Sequence, residues 1–250
     1  MRRHFLTGVL AMAAAVAGLM AQPKPKSNAE ADAVRALFAA KGQSPDATIK
    51  AADDLLFKFA DTAYKEVALL LEADAYQQKG DYASAEVTDE RLLESYPKNP
   101  QAGMQLAELI VQHVRENDLD KEEQLAKAEK RINDALANID TKPWAGVPDA
   151  TWEENKKYVK AELQNDLGLV AMTRKNYDVA IADFKVAIQG DPQDAYQVRL
   201  ASAYLQSGKN DDALAVCDKL LANPQLHPTI RKLAEDIKAK AAKAKGAGAK

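Results

Sequence analysis

The stretch Ala161–Asp194, AELQNDLGLVAMTRKNYDVAIADFKVAIQGDPQD, constrains the fold more than any other part of this chain. It reads as two short amphipathic helices with a tight turn at Lys175-Asn176 between them. Small residues stand where paired helices must touch: Gly168 on the first helix, Ala180 and Ala187 on the second, with Phe184 supplying bulk between the two alanines. Asp191-Pro192 ends the second helix, since proline has no amide to donate and its ring clashes with the preceding turn. After Asp194 the pattern returns at a spacing of about 33 residues, inside the range of helical repeats. Gly168 aligns with Ala201, Ala171 with Tyr204, Ala180 with Ala213, Phe184 with Cys217 and Ala187 with Leu220, and Pro224 closes the unit. One helix pair cannot cover its own apolar stripe, so such pairs must stack on neighbours.

Leu167-Gly168, then Ala180-x3-Phe184-x2-Ala187, then Pro192 is the order of residues that resembles a tetratricopeptide repeat. The resemblance implies an all-α chain, a tetratricopeptide-like α-solenoid of stacked antiparallel helix pairs with a C-terminal capping helix. Four units follow over 62–224, at about 66–99, 100–140, 151–194 and 195–224. In the first, Ala73 and Ala85 take the crossing positions, Gly80-Asp81-Tyr82 the turn, and Asp89 the place of the aromatic. A turn this tight needs a residue at positive φ, which costs little only for Gly or Asn. The second is stretched by ENDLDKEE between its helices and is followed by a proline-bounded excursion, Thr141–Ala150, that holds Trp144. Thr151 and Glu154 have capping-box spacing at the start of the next helix. A helical pair over 29–61 leads into the array; Ser44 there is placed to cap a helix whose first residue is Pro45. A helix over 225–243, with Ile230, Leu233, Ala234 and Ile237 on one face and lysines elsewhere, closes the array.

The ends read differently. Residues 1–21 have a basic start, an apolar stretch from Phe5 to Met20, and Ala21 before a polar segment, which is the layout of an export signal cleaved after Ala21. Arg2-Arg3 also fits the twin-arginine form. An uncleaved anchor is the alternative, although a membrane span usually needs about 20 apolar residues. Residues 22–28 read as a disordered linker and 244–250 as a disordered Lys/Ala/Gly tail. The formal charge is −3, and loss of Arg2 and Arg3 takes it to about −5. Five lysines and no acid follow from Lys238, so the body before them is near −10, with no basic face for nucleic acid. Weak contact of the lysine-rich tail with an anionic envelope surface fits this asymmetry.

Catalytic chemistry is not visible in the residues. His4 belongs to the signal, and His113 and His227 stand apart without metal-ligand spacing. Cys217, alone in the chain, stands in a core position and reads as a buried filler. No glycine-rich phosphate loop, metal site or small-molecule cofactor site is expected. The family resemblance implies a concave groove, lined by the first helix of each pair, that holds a protein or peptide partner. By position the groove candidates are Asp74, Gln105, Glu108, Asn165, Leu169, Arg199 and Ser202. Only Arg199 fits the family's carboxylate clamp, so that mode is not expected. Trp144 is a candidate anchor, holding its loop or a partner. The expectation is an exported, periplasmic or secreted, non-enzymatic interaction scaffold. A membrane-tethered assembly factor and an enzyme without a recognisable motif remain as alternatives.

Overall fold

The computed structural model describes residues 23–143 and 146–248. The expected export signal and Trp144 lie outside them. Among the described residues there are eleven helices and no strand: α1 Asn28–Ala40, α2 Pro45–Lys58, α3 Lys65–Lys79, α4 Tyr82–Ser95, α5 Pro100–His113, α6 Lys121–Ala137, α7 Asp149–Thr173, α8 Tyr177–Gly190, α9 Asp194–Gln206, α10 Asn210–Leu221 and α11 Pro228–Gly248. The all-α solenoid of stacked helix pairs is therefore the observed fold. The chain divides into two units, Met1–His113 with Asn133–Lys156, and Val114–Ile132 with Lys157–Lys250.

In the first unit α1 to α5 pack in chain order, each on the next. Ser27 caps α1 by accepting the Glu30 amide at 3.1 Å, and Ser44 caps α2 by accepting the Ala47 amide at 3.1 Å, with Pro45 in the first turn. The segment expected to be a disordered linker is tied down over its described residues. Tyr64 donates to the Pro23 carbonyl at 2.5 Å, and Lys26 pairs with Asp61 at 2.5 Å. Gly80 ends α3 at φ 78°, and Asp81 caps α4 through the Ser84 amide at 3.2 Å. The helix expected from Thr151 begins two residues earlier, at Asp149, so Thr151 lies inside the first turn instead of capping it. Beside it, Trp152 is one of the largest fully buried side chains.

In the second unit α8, α9, α10 and α11 pack in order, and α11 also lies on α9. Phe184 is fully buried in a cluster with Ala171, Ala180, Leu200, Ala203 and Ala213. A Cβ added to Gly168 would stand 2.5 Å from the Phe184 ring, so this glycine is required by the close approach of α7 and α8. Cys217 is buried with Ala201, Leu220 and Ala234. The α7–α8 turn departs from the glycine rule. Lys175, not glycine or asparagine, takes φ 62°, while the turn at Gly208 has φ 76°. The chain reversal at Lys175 is held by the Asn176 amide on the Ala171 carbonyl at 2.8 Å, and Lys175 Nζ pairs with Glu116 at 2.8 Å. Next to it, Arg174 joins Glu122 at 2.6 Å and Glu129 at 2.7 Å. The tail expected to leave the fold at 244 continues as helix to Gly248. Lys245 pairs there with Asp211 at 2.5 Å, and Lys238 with Asp218 at 2.6 Å.

Gly168→Ala sets two effects against each other. Alanine favours a helix by about 1 kcal/mol over glycine, whereas forcing a methyl into a packed crossing costs about 1–3 kcal/mol. Contact with a buried ring, not a flexible chain end, puts the balance on the side of strain, and the variant is expected to melt a few degrees lower. A melting temperature equal to or above wild type shows that the ring does not bear on Gly168.

Candidate functional site

The seven groove candidates divide between the units. In the second unit α7 carries Tyr158, Glu162, Asn165 and Asp166 along one face, at the three- and four-residue steps that align helix side chains. The α9 helix brings Tyr196 and Arg199 to meet them. Arg199 donates to the Asn165 side-chain oxygen at 2.6 Å, and Asn165 turns its own amide toward Asp166 at 3.2 Å and Glu162 at 3.4 Å. Tyr158 completes the row, 3.5 Å from Glu162. Burial pushes the Glu162 carboxyl up, and the Arg199 charge opposes that rise. Burial beside Glu162 also pushes the Tyr196 hydroxyl up, so it stays protonated. Two expected residues, Asn165 and Arg199, are thus brought into direct contact. Asn165 is buried, Arg199 half-buried. Leu169 and Ser202 are half-buried, and Leu169 packs on the Phe184 cluster.

In the first unit Asp74 and Gln105 are buried and Glu108 is half-buried. Asp74 accepts from Gln78 one turn on at 2.8 Å, and Glu108 accepts from Gln112 at 2.7 Å. Gln105 is fully buried, and neither atom of its amide has a hydrogen-bond partner. Asp89 is the most demanding residue here. It occupies the aromatic position of its repeat, is 0% exposed, and neither carboxylate oxygen has a hydrogen-bond partner. Burial raises its pKa well above the usual carboxylate value, and Asp74 adds like-charge repulsion. Glu66 and Glu72 are pushed up to about 7, both chiefly by burial. The sequence reading missed Glu66, Asn99, Glu162 and Tyr196. Tyr158, Glu162 and Asn165 stand at helical spacing, but the many other polar residues of α7 hide that face in the sequence.

His113 lies against the Tyr82 ring at 3.8 Å between centroids, with Nδ1 at 2.7 Å from the Leu109 carbonyl. Among the described residues no group of three or more His, Cys, Asp or Glu is arranged to hold a metal ion, and no helix is long and apolar enough to cross a membrane.

Residues 171–237 match the family model described as tetratricopeptide repeat. In fold the chain is similar to the crystal structure of a thermophilic TPR protein from Thermus thermophilus. That similarity has a TM-score of 0.58 at 23% identity and covers 83% of this chain and 98% of that one. A tetratricopeptide repeat protein from Parabacteroides merdae also aligns, with a TM-score of 0.47 at 16% identity over 87% of this chain and 91% of that one. No curated protein sequence matches the chain.

The buried acids give a pH dependence with a definite sign. A carboxyl whose folded pKa lies above its unfolded value favours the fold at low pH, and that stability is lost as pH rises from the unfolded pKa through the folded one. For Asp89 the loss begins near pH 4; Glu66 and Glu72 extend it to about 7. The protein is therefore expected to resist urea better at pH 5 than at pH 8. Asp89→Asn, which cannot ionise, removes part of that difference. Urea midpoints with the same pH slope in variant and wild type count against a neutral, buried Asp89.

Proposed function

We propose that this chain, whose residues 171–237 match a tetratricopeptide repeat model, is a protein-protein interaction scaffold acting in the cell envelope or periplasm. It binds a peptide or partner helix across the face formed by α7 and α9. The observation that carries this reading is the Arg199–Asn165 contact. Two polar residues from the first helices of consecutive pairs meet at 2.6 Å and leave the Arg199 side chain half-buried. A guanidinium already fixed in direction loses little freedom when it meets a partner's carboxylate or carbonyl, which is where arginine serves binding best. Glu162 and Asp166 beside it favour a segment that presents donors as well as acceptors. The fold brings this face together by packing, and the match of residues 171–237 to tetratricopeptide repeats supports the reading of a binding module.

The placement in the envelope rests on residues 1–21, whose basic start, apolar stretch and Ala21 have the form of an export signal. Lys240 and Lys243, on the last helix, belong to the lysine-rich end proposed for weak contact with an anionic surface. The intact mass of the protein recovered from cells is expected to correspond to a chain starting at Gln22. A mass that includes Met1, found in the membrane fraction, would replace the soluble reading with a tethered one.

Arg199→Glu tests the binding face. It reverses one charge next to Glu162 and Asp166 without touching the Phe184 cluster. In a pull-down from envelope extract the wild type is expected to retain at least one protein that the variant, checked by circular dichroism for intact helix content, loses. Identical retained sets from the two proteins would remove the support for the α7–α9 face.

A further inference from the structure

Glu162 is held less firmly than its surroundings require. It stands half-buried on α7, and burial is the main cause that raises its carboxyl above the usual range. Two donors approach it from far off, the Asn165 amide at 3.4 Å and the Tyr158 hydroxyl at 3.5 Å. Well-formed hydrogen bonds to a carboxylate span about 2.5–3.2 Å. Tyr196 brings a second unmet group from α9. Its hydroxyl lies beside Glu162, the residue is 1% exposed, and the oxygen has no hydrogen-bond partner. Buried hydroxyls in folded proteins are nearly always paired, so the gap between α7 and α9 offers two oxygens that an incoming donor can satisfy.

The charges around the gap decide which donor fits. Arg199 on α9 and Asp191 at the end of α8 face Glu162, with Tyr158 and Tyr196 as the other titratable groups. Asp166 is buried on α7 beside Asn165. Ionised Glu162 therefore makes a group of three acids and one arginine, and that arginine directs Nη1 to the Asn165 oxygen at 2.6 Å. A carboxylate entering here meets a surplus of its own sign, whereas a cation neutralises it. Lysine suits the place better than arginine does. Its three donors rotate about the last bond and can reach acceptors on two helices, while a guanidinium needs both oxygens of one carboxylate in its plane.

We propose that the α7–α9 face selects a partner segment carrying a lysine, whose ammonium is received by Glu162 and the Tyr196 hydroxyl between the two helices. This rests on the reading of α7 and α9 as a binding face and specifies the chemistry of its occupant. Glu162 must be ionised to receive the ammonium. Affinity therefore rises as pH climbs through the raised pKa of its carboxyl, by the linkage that ties binding to proton release.

The probe is the peptide acetyl-Ala-Leu-Ala-Lys-Ala-Leu-Ala-amide, whose lysine is its one charge, titrated into the full chain by NMR. Companion peptides carry norleucine or glutamate in place of the lysine. The lysine peptide is expected to shift the amide signals of Glu162, Asn165 and Arg199, and to bind several-fold more tightly than norleucine at pH 8. At pH 5 that preference shrinks. Glu162→Gln keeps the size of the side chain and the neutral form that burial favours, and is expected to bind the lysine and norleucine peptides alike. Asp212→Asn, at an exposed position on α10, changes the net charge equally and is expected to bind as wild type does. Equal binding of lysine and norleucine by the wild type, or a lysine preference that survives Glu162→Gln, overturns the proposal. If Glu162→Gln does not fold, the wild type decides: a lysine preference that does not grow with pH overturns it. Should the glutamate peptide shift these amides and the lysine peptide not, the face stands and its preference for lysine falls. Should no peptide shift them, the lysine proposal falls alone, since the Arg199→Glu pull-down judges the face independently.

Discussion

The approach of α7 to α8 is the contact on which the second unit depends. Phe184 lies so close to Gly168 that a methyl group there would overlap the ring. Helix axes can come this near only where one side chain is missing, and the ring then fills the space that two helices would otherwise leave between them. Ala171, Ala180 and Ala213 extend the same solution around the ring, and Leu200 and Tyr204 bring α9 into the cluster. Because α9 is held there, Arg199 meets Asn165. The polar contact is thus a product of apolar packing one turn away on each helix.

This part of the fold was legible because its determinants are local. Gly168, Ala180, Phe184 and Ala187 stand at fixed intervals within one short stretch, and helical geometry converts those intervals into one face. The caps Ser44 and Asp81 and the turn glycines Gly80 and Gly208 work within a few residues as well. What was not legible depends on residues far apart in sequence. Asn99 meets Pro143 across 44 positions, and no helical period connects them. Lys175 adopts a positive φ against its own preference because hydrogen bonds to α7 and the ion pair with Glu116 stabilise the turn around it. The segment before α1 has the composition of a linker, yet Tyr64 and Asp61, nearly forty residues on, hold it in place.

The candidate site was legible in outline and not in kind. Position in the repeat selected Asn165 and Arg199, and these two touch. The same rule selected Asp74 and Gln105, which lie in the buried stretches Val67–Ala75 of α3 and Pro100–Ala107 of α5. Position specifies which residues point away from the partner helix of their own pair; it does not specify what else the chain lays over them. Asp89 shows the converse. Its place in the pattern calls for an aromatic, and the structure does bury it as one, so the fold must accept a carboxyl that is neutral rather than solvated.

Cys217 has a consequence of another kind. It replaces the aromatic of its repeat, is fully enclosed by Val198, Ala201, Leu220 and Ala234, and burial pushes its thiol further from ionisation. A thiol that neither ionises nor meets solvent does not exchange with disulfides or take up oxidants. With no second cysteine in the chain, no disulfide forms within the folded molecule. The same sequence can be synthesised in a reducing compartment and used in an oxidising one without making or breaking a disulfide.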